Sequence, residues 1–324
     1  MMNISDFQKI KIFDGLTSDQ RIYPEFDINL QEMSKARLTS YELHWGKNIY
    51  PHLCQLIQKH PHFGDFWKKA LQDEFTVLSS SGTRSLRNHL VKLFFTNPVQ
   101  FLKFEKRNDL KAFEMTYLGD TFKVGTNEKI NKLLQAYELK INPLLQDATL
   151  FIDLGSGWGR WSTYFASKNE KLKVLAGEVT NAGQKITSEI SERYNLNITT
   201  FAFDFLNWSN LMHELKQNDV SNVVIFSSFA IEQAKLIDCR MFETIIDLCE
   251  NVHFFHVEPV GWQLDPSYGS KFNPVPAGKR HYFNSNFFPI MDHLISTEKL
   301  KVEEILPDFV GFGAVGTLAR FSKV

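Results

Sequence analysis

At 324 residues the chain is long enough for one large domain or two ordinary ones, and 43% hydrophobic with 23% charged residues is the balance of a globular protein with a sizeable core. A formal net charge of -1 supplies no global field toward nucleic acid or an anionic membrane, so neither is expected as a partner. The three cysteines, Cys54, Cys239 and Cys249, stand far apart without a C-x-x-C pair, which argues against a disulfide framework or a thiolate zinc site and for a reducing cytoplasmic setting.

The first residues lack the basic segment and apolar run of a secretory signal, and no stretch has the length of a membrane span. Residues 1 to about 40 show scattered charge and little periodicity, as expected of an irregular arm. From Tyr41 helical spacing begins, with Leu53, Leu56 and Ile57 after Pro51, then Phe66, Trp67, Ala70, Leu71, Phe75 and Leu78. After a break at Ser80–Thr83, Leu86, Leu90, Leu93 and Phe94 start a further helix that ends near Pro98. The basic residues here, Lys68, Lys69, Arg84, Arg87 and those from Lys103 to Arg107, interleave with Asp73, Glu74 and Glu105 and read as solvated helix faces.

Phe113 to Val124 alternates enough for a hairpin or a loop-like connection. Asn127 to Leu145 carries a helical stripe of Ile130, Leu133, Leu134, Tyr137 and Ile141, with Asn127 as cap and Pro143 as end marker. The pattern divides the chain into a mostly helical appendage, 1–126, suited to substrate recognition or a lid, and an α/β domain, 127–324.

That domain starts with the apolar run Leu150 to Leu154, a strand buried on both faces, which breaks at Gly155-Ser156-Gly157-Trp158-Gly159 and restarts as a helix. Glycines let the chain turn sharply and leave amides uncovered at a helix start, where polar or anionic ligand groups can bind. A nicotinamide-type G-x-G-x-x-G is excluded because Arg160 stands where its third glycine would be. The acid comes first instead, as Asp153 in D-x-G-x-G-x-G.

This form resembles motif I of the class I S-adenosylmethionine (SAM)-dependent methyltransferases. The resemblance covers about half of the chain and implies an α/β fold: a Rossmann-like, doubly wound seven-stranded sheet, mostly parallel with an antiparallel C-terminal strand. It implies SAM as cofactor, held by Asp153, Gly155, Ser156, Gly157 and Trp158 of the glycine loop. The second strand ends at Glu178, 25 positions beyond Asp153, where the family's acid binds the ribose hydroxyls; a helix N-terminal acid would look the same. The third, Asn197 to Phe203, is followed by Asp204 and Phe205, matching the acid that meets the adenine amine and a residue flanking the ring, although Asp204 could equally cap the next helix. Ser228, Glu232 and Gln233 lie on the loop after the fourth strand, beside the transferred methyl in the family. The Asn/Asp-Pro-Pro-aromatic motif of DNA-amine methyltransferases is absent from this loop.

On the fifth strand, alternation sends His253 and His256 to opposite faces, so they are no chelating pair, while His256 and Glu258 share one. A histidine beside a carboxylate at a strand mouth has the chemistry of a general base for a hydroxyl acceptor. His256, Glu258 and Glu232 are therefore the candidate catalytic groups. Asp265 to Arg280 reads as a lid, with His281 and Asn284 closing over an acceptor. Leu300–Ile305 and Ala314–Phe321, separated by the Pro307–Gly313 turn, resemble the antiparallel pair that closes such sheets.

The resemblance, with a weaker likeness to bacterial carbohydrate and small-molecule methyltransferases, implies methyl transfer to a hydroxyl of a small or sugar-like acceptor. N-methylation of a protein or peptide, or a non-catalytic module binding SAM or a partner, are the alternatives. No metal ligands are assigned; magnesium beside Glu258 stays open, as does the oligomeric state.

Overall fold

Residues 18–23, 39, 42–43, 45–79, 113–124, 126–264, 284–312 and 314–324 are described by the computed structural model. The expected helix from Leu86, the basic residues Arg84, Arg87 and Lys103–Arg107, the lid of 265–280 and His281 lie outside them. Among the described residues of the arm, Ser18–Ile22 form a short helix, α1. A π-helical turn (Trp45–Ile49) leads into α2 (Tyr50–Lys59), where Pro51 occupies the first turn, a position that needs no intrahelical N–H donor. α3 (Phe63–Ser79) follows, then a hairpin of β1 (Phe113–Tyr117) and β2 (Asp120–Val124), and α4 (Thr126–Leu145). Asn127 is inside α4 rather than its cap, and the helix continues two residues past Pro143. The bond that Pro143 cannot donate would go to Leu139, whose side chain is 59% exposed.

The remainder alternates: β3 (Leu150–Leu154), α5 (Arg160–Lys168), β4 (Lys173–Glu178), α6 (Asn181–Tyr194), β5 (Ile198–Ala202), α7 (Ser209–Gln217), β6 (Asn222–Ser228), α8 (Cys239–Leu248), β7 (Asn251–Glu258), α9 (Phe287–Ser296), β8 (Leu300–Phe312) and β9 (Ala314–Lys323). No helix among the described residues is long and apolar enough to cross a membrane.

Among the described residues one nine-stranded sheet runs β2-β1-β8-β9-β7-β6-β3-β4-β5. β3 to β7 pair in parallel, and β9 is antiparallel to both β7 and β8. These seven strands are the doubly wound sheet expected; the β1–β2 hairpin adds two more through the β1–β8 pairing of Thr116 with Gly311 and Tyr117 with Val310. Of the turn expected at Pro307–Gly313, Pro307 to Phe312 belong to strand β8, which passes through register shifts between Val302 and Glu304 and between Leu306 and Val310. Such bulges re-aim a strand without ending it.

Alternate side chains of the central strands enter two cores. Phe151, Val174, Val224, Phe226 and Phe255 face α2 to α6, while Leu150, Ile152, Leu154, Leu175, Ile225 and Phe254 face α7, α8 and α9. Both faces are covered, which is why these strands read as continuous apolar runs. Leu53, Leu56, Phe66 and Trp67 of α2 and α3 belong to the same core as Ile130 and Tyr137 of α4.

Candidate functional site

The strand order reverses between β3 and β6, leaving a crevice at the C-terminal ends of the parallel strands, where ligands of open α/β sheets bind. The glycine loop forms its floor. Gly155, Gly157 and Gly159 all have left-handed φ, +77°, +62° and +73°, a region strained for L side chains. Gly155 is further fixed by Ala230, since a Cβ there would come within 2.5 Å of the alanine's Cβ. The amides of Gly155 and Ser156 both donate to the Gly177 carbonyl at 2.9 Å, lashing the loop to β4.

Asp153 is turned onto the start of α5. Its Oδ2 accepts from the Ser162 amide at 3.2 Å and hydroxyl at 2.6 Å, so the carboxylate pins the first turn of α5 beneath the loop. Burial pushes its carboxyl up to about 6, with the Ser162 hydrogen bonds opposing.

Glu178, at the end of β4, reaches back to the loop. Its Oε2 accepts the Gly157 amide at 3.0 Å, and its Oε1 accepts the Thr180 amide at 2.9 Å and hydroxyl at 2.7 Å. A carboxylate offers about four acceptor positions, so these bonds leave about one for a ligand. Thr180, rather than Glu178, is the side-chain cap of α6. The Ser156 hydroxyl is buried and finds no hydrogen-bond partner among the described residues, an orphaned polar group in the glycine loop. Above Gly157 lies Trp45, whose ring carbon would be 3.3 Å from a Cβ at that glycine. Just before it, the Glu42 carboxylate accepts the amides of Asn181 at 2.8 Å and Ala182 at 3.2 Å, a clasp from the N-terminal segment onto α6. Local sequence patterns carry no sign of Trp45 or Glu42 here, because both act across more than a hundred residues.

Asp204 closes a local turn through Oδ1 to the Leu206 amide, 2.9 Å, and is not the cap of α7. Phe205 is buried next to Gly155, 3.9 Å from the position of its absent Cβ, and meets Phe203 edge to face. Trp158 points away from the crevice: its indole donates to Glu74 at 3.1 Å and its ring meets Phe66, both on α3. Ser228 turns toward α4, with its hydroxyl 2.7 Å from that of Tyr137. These two side chains are tied to the helical layer instead of the expected ligand.

The β6–β7 edge departs most from expectation. Ser227 donates to Glu258 Oε1 at 2.7 Å and is 2.8 Å from His256 Nδ1, a buried chain of three groups on one face of the sheet. His256 is packed among the rings of Phe242, Phe254 and Phe287, its Nε2 unpartnered among the described residues, and burial pushes its pKa down to about 3. A neutral, enclosed imidazole cannot serve as the expected general base. Glu258 is also fully buried. Its oxygens accept the amides of Ala230 at 3.0 and 3.2 Å and Glu232 at 3.4 Å, so it holds down the loop after β6. Burial pushes this carboxyl up to about 7, against the bonds from Ser227 and the loop amides. Phe229, one residue before Ala230, has φ +56°, a strained conformation at the loop's entry that no local pattern announces. Glu232 keeps partial exposure and accepts from Gln233 at 2.6 Å. Asn284 is completely buried, its Oδ1 accepting the Asn286 and Phe287 amides at 3.1 and 2.9 Å and its Nδ2 donating to the Ala234 carbonyl at 2.9 Å. It organises the entry to α9 and does not close over an acceptor.

A separate groove of about 1020 Å³, lined in part by Trp67, Lys68, Tyr164, Lys168, Tyr194 and Asn197, lies beside the C-terminal ends of α5 and α6, at the other end of the sheet. It is remote from the glycine loop.

No family model matches the chain, nor does any curated protein. Among solved structures, the chain is similar to a SAM-dependent methyltransferase from Aquifex aeolicus, at 14% identity over 61% of this chain and 98% of that one, TM-score 0.40. It is also similar to the O-methyltransferase from Bacillus cereus in complex with SAH, 13% identical over 59% and 80% of the two chains, TM-score 0.41. The O-methyltransferase TomG from Streptomyces achromogenes, involved in tomaymycin synthesis and in complex with SAM, is 11% identical over 59% and 79%, TM-score 0.42. Likeness this distant carries no argument about chemistry, which must come from the residues themselves.

Proposed function

We propose that the chain is a SAM-dependent methyltransferase acting on a hydroxyl of a small or sugar-like acceptor. The observation that carries this reading is the meeting of Glu178 with the glycine loop at the reversal of strand order, with the orphaned Ser156 hydroxyl beside it. Acceptor and donor groups are both present for a nucleoside with polar substituents, so the residues fit the cofactor. Glu178, Ser156 and the backbone at Gly157 would hold it, with Asp204 and Phe205 toward the base. When bound, SAM supplies an electrophilic methyl group on a sulfonium.

The protein's own part is alignment. Glu258 fixes the loop from Phe229 to Glu232 against Gly155, beside the ring of Phe205. Glu232, on that loop, is the carboxylate best suited to take a proton from an acceptor hydroxyl.

Two observations favour the non-catalytic module: Trp45 lies over Gly157, and Glu178 has most of its acceptor capacity filled from within. Calorimetry with SAM and SAH on the wild type and Trp45→Ala separates the two readings. Binding by the wild type, followed by radiolabelled methyl transfer into the small-molecule pool of a cell extract, supports the enzyme. Binding confined to Trp45→Ala supports a module whose loop is covered by its own N-terminal segment. Label in the protein pool would redirect the acceptor to a polypeptide.

A further inference from the structure

A second cluster of reactive side chains lies on the outer side of the α8–α9 layer. Cys239 and Glu243 are four residues apart on α8 and therefore share a helix face. His293 comes from α9. The cysteine sulfur, a carboxylate oxygen of Glu243 and a ring nitrogen of His293 all lie within 4.8 Å of one another. Tyr23, immediately after α1, completes the group. Its hydroxyl donates to Glu243 Oε1 at 3.1 Å and is 3.0 Å from His293 Nε2, and its ring meets the imidazole edge to face.

We propose that Cys239, Glu243 and His293, with the Tyr23 hydroxyl at the fourth corner, form a binding site for a zinc-class divalent transition metal. Thiolate, imidazole and carboxylate together make a borderline-soft donor set, suited to Zn²⁺ or Co²⁺ and unsuited to Mg²⁺ or Ca²⁺, which take oxygen. Metal–ligand bonds of about 2.0–2.3 Å put tetrahedral ligand atoms roughly 3.5 Å apart, so the three atoms need to close by about 1 Å, within reach of side-chain rotation. Cys239 is fully buried at the base, while Glu243 and His293 are partly exposed and form the entry side. Lys299 donates to Glu243 Oε1 at 2.8 Å, leaving Oε2 for the metal and orienting the carboxylate as supporting contacts of metal ligands do. A set with one cysteine needs no C-x-x-C, so the scattered cysteines do not weigh against it. The site ties α1 to α8 and α9 and is independent of the SAM reading.

The test uses untagged full-length protein freed of metal by a chelator and titrated with Co²⁺. The expected result is one Co²⁺ per chain, with sulfur-to-cobalt charge-transfer absorption and the ligand-field bands of a four-coordinate ion, both reversed by Zn²⁺. Cys239→Ser should abolish the charge-transfer band, whereas Cys54→Ser and Cys249→Ser keep it. Glu243→Gln and His293→Ala should each weaken binding at least about tenfold, and Tyr23→Phe less. A hundredfold excess of Zn²⁺ over its Kd should raise the wild-type melting midpoint by about 5 °C. A folded wild type with no cobalt–sulfur absorption, a band that survives Cys239→Ser, or a wild-type melt unmoved by Zn²⁺ would each overturn the proposal.

Discussion

Glu178 and Gly157 are joined directly, carboxylate to backbone amide at 3.0 Å, although 20 residues of helix and strand separate them along the chain. The bond makes the end of β4 and the middle of the glycine loop one unit, and the same carboxylate is the group expected to meet a ribose. Charge-assisted hydrogen bonds contribute about 1.5–3 kcal/mol, so Glu178→Ala should weaken SAM binding by roughly ten- to a hundredfold in calorimetry. Undiminished affinity would remove Glu178 from the site.

Gly155→Ala tests the floor of the crevice. A left-handed φ costs a non-glycine residue about 1–3 kcal/mol by itself, and the clash with Ala230 adds to it. At Gly64, in the first turn of α3, an added Cβ would meet nothing within 4 Å, so Gly64→Ala should be neutral or stabilise by up to about 1 kcal/mol. Denaturant midpoints measure both.

For Glu258 the sign of the pH effect is set by its raised pKa. The folded carboxyl titrates at about 7 and the unfolded one at 4.5, so its contribution to stability is full below 4.5 and is lost as pH rises through 7. Glu258→Gln removes that loss. Relative to wild type, the variant should gain on the order of 3 kcal/mol between pH 4.5 and 7 and then level off. Its kcat should nevertheless fall, because a neutral amide holds the amides of Ala230 and Glu232 less firmly. Equal pH dependence of the two unfolding curves would contradict the burial argument.

His256 has the opposite sign. Its folded pKa, about 3, is below the unfolded 6.5, so the stability it supports is present above 6.5 and is lost as pH falls through 3. His256→Phe should therefore resist acid better than wild type over that window in urea titrations. Losing a general base costs about 10²–10⁴-fold in rate, and a decrease of that size with the loss of a limb of the pH–rate profile would restore His256 as the base. The expected change is well under tenfold.

The strand runs, the glycine loop and the acids at the strand ends were legible because each is a local pattern: alternation, glycine spacing, an acid after an apolar run. Helix α8 was not among the elements expected, although Asp238 caps it and Met241, Phe242, Ile245 and Ile246 form its buried stripe. It lies between the two loops expected to face a ligand. Trp158, Ser228, Asn284 and His256 depart from their expected roles for one reason. A side chain's position along the chain gives its face, whereas its partner belongs to another element: Glu74, Tyr137, Ala234, Phe287.

A parallel α/β core with a glycine-lined crevice is thus encoded locally, because backbone geometry and burial periodicity are written in neighbouring residues. Which carboxylates remain for a ligand follows from packing between distant segments. Asp153 and Glu258 are spent on Ser162 and on the loop amides, while Glu178 keeps about one acceptor position. Such packing also decides that Tyr23, Cys239, Glu243 and His293 converge, since three separate helical segments must pack before those four groups can meet.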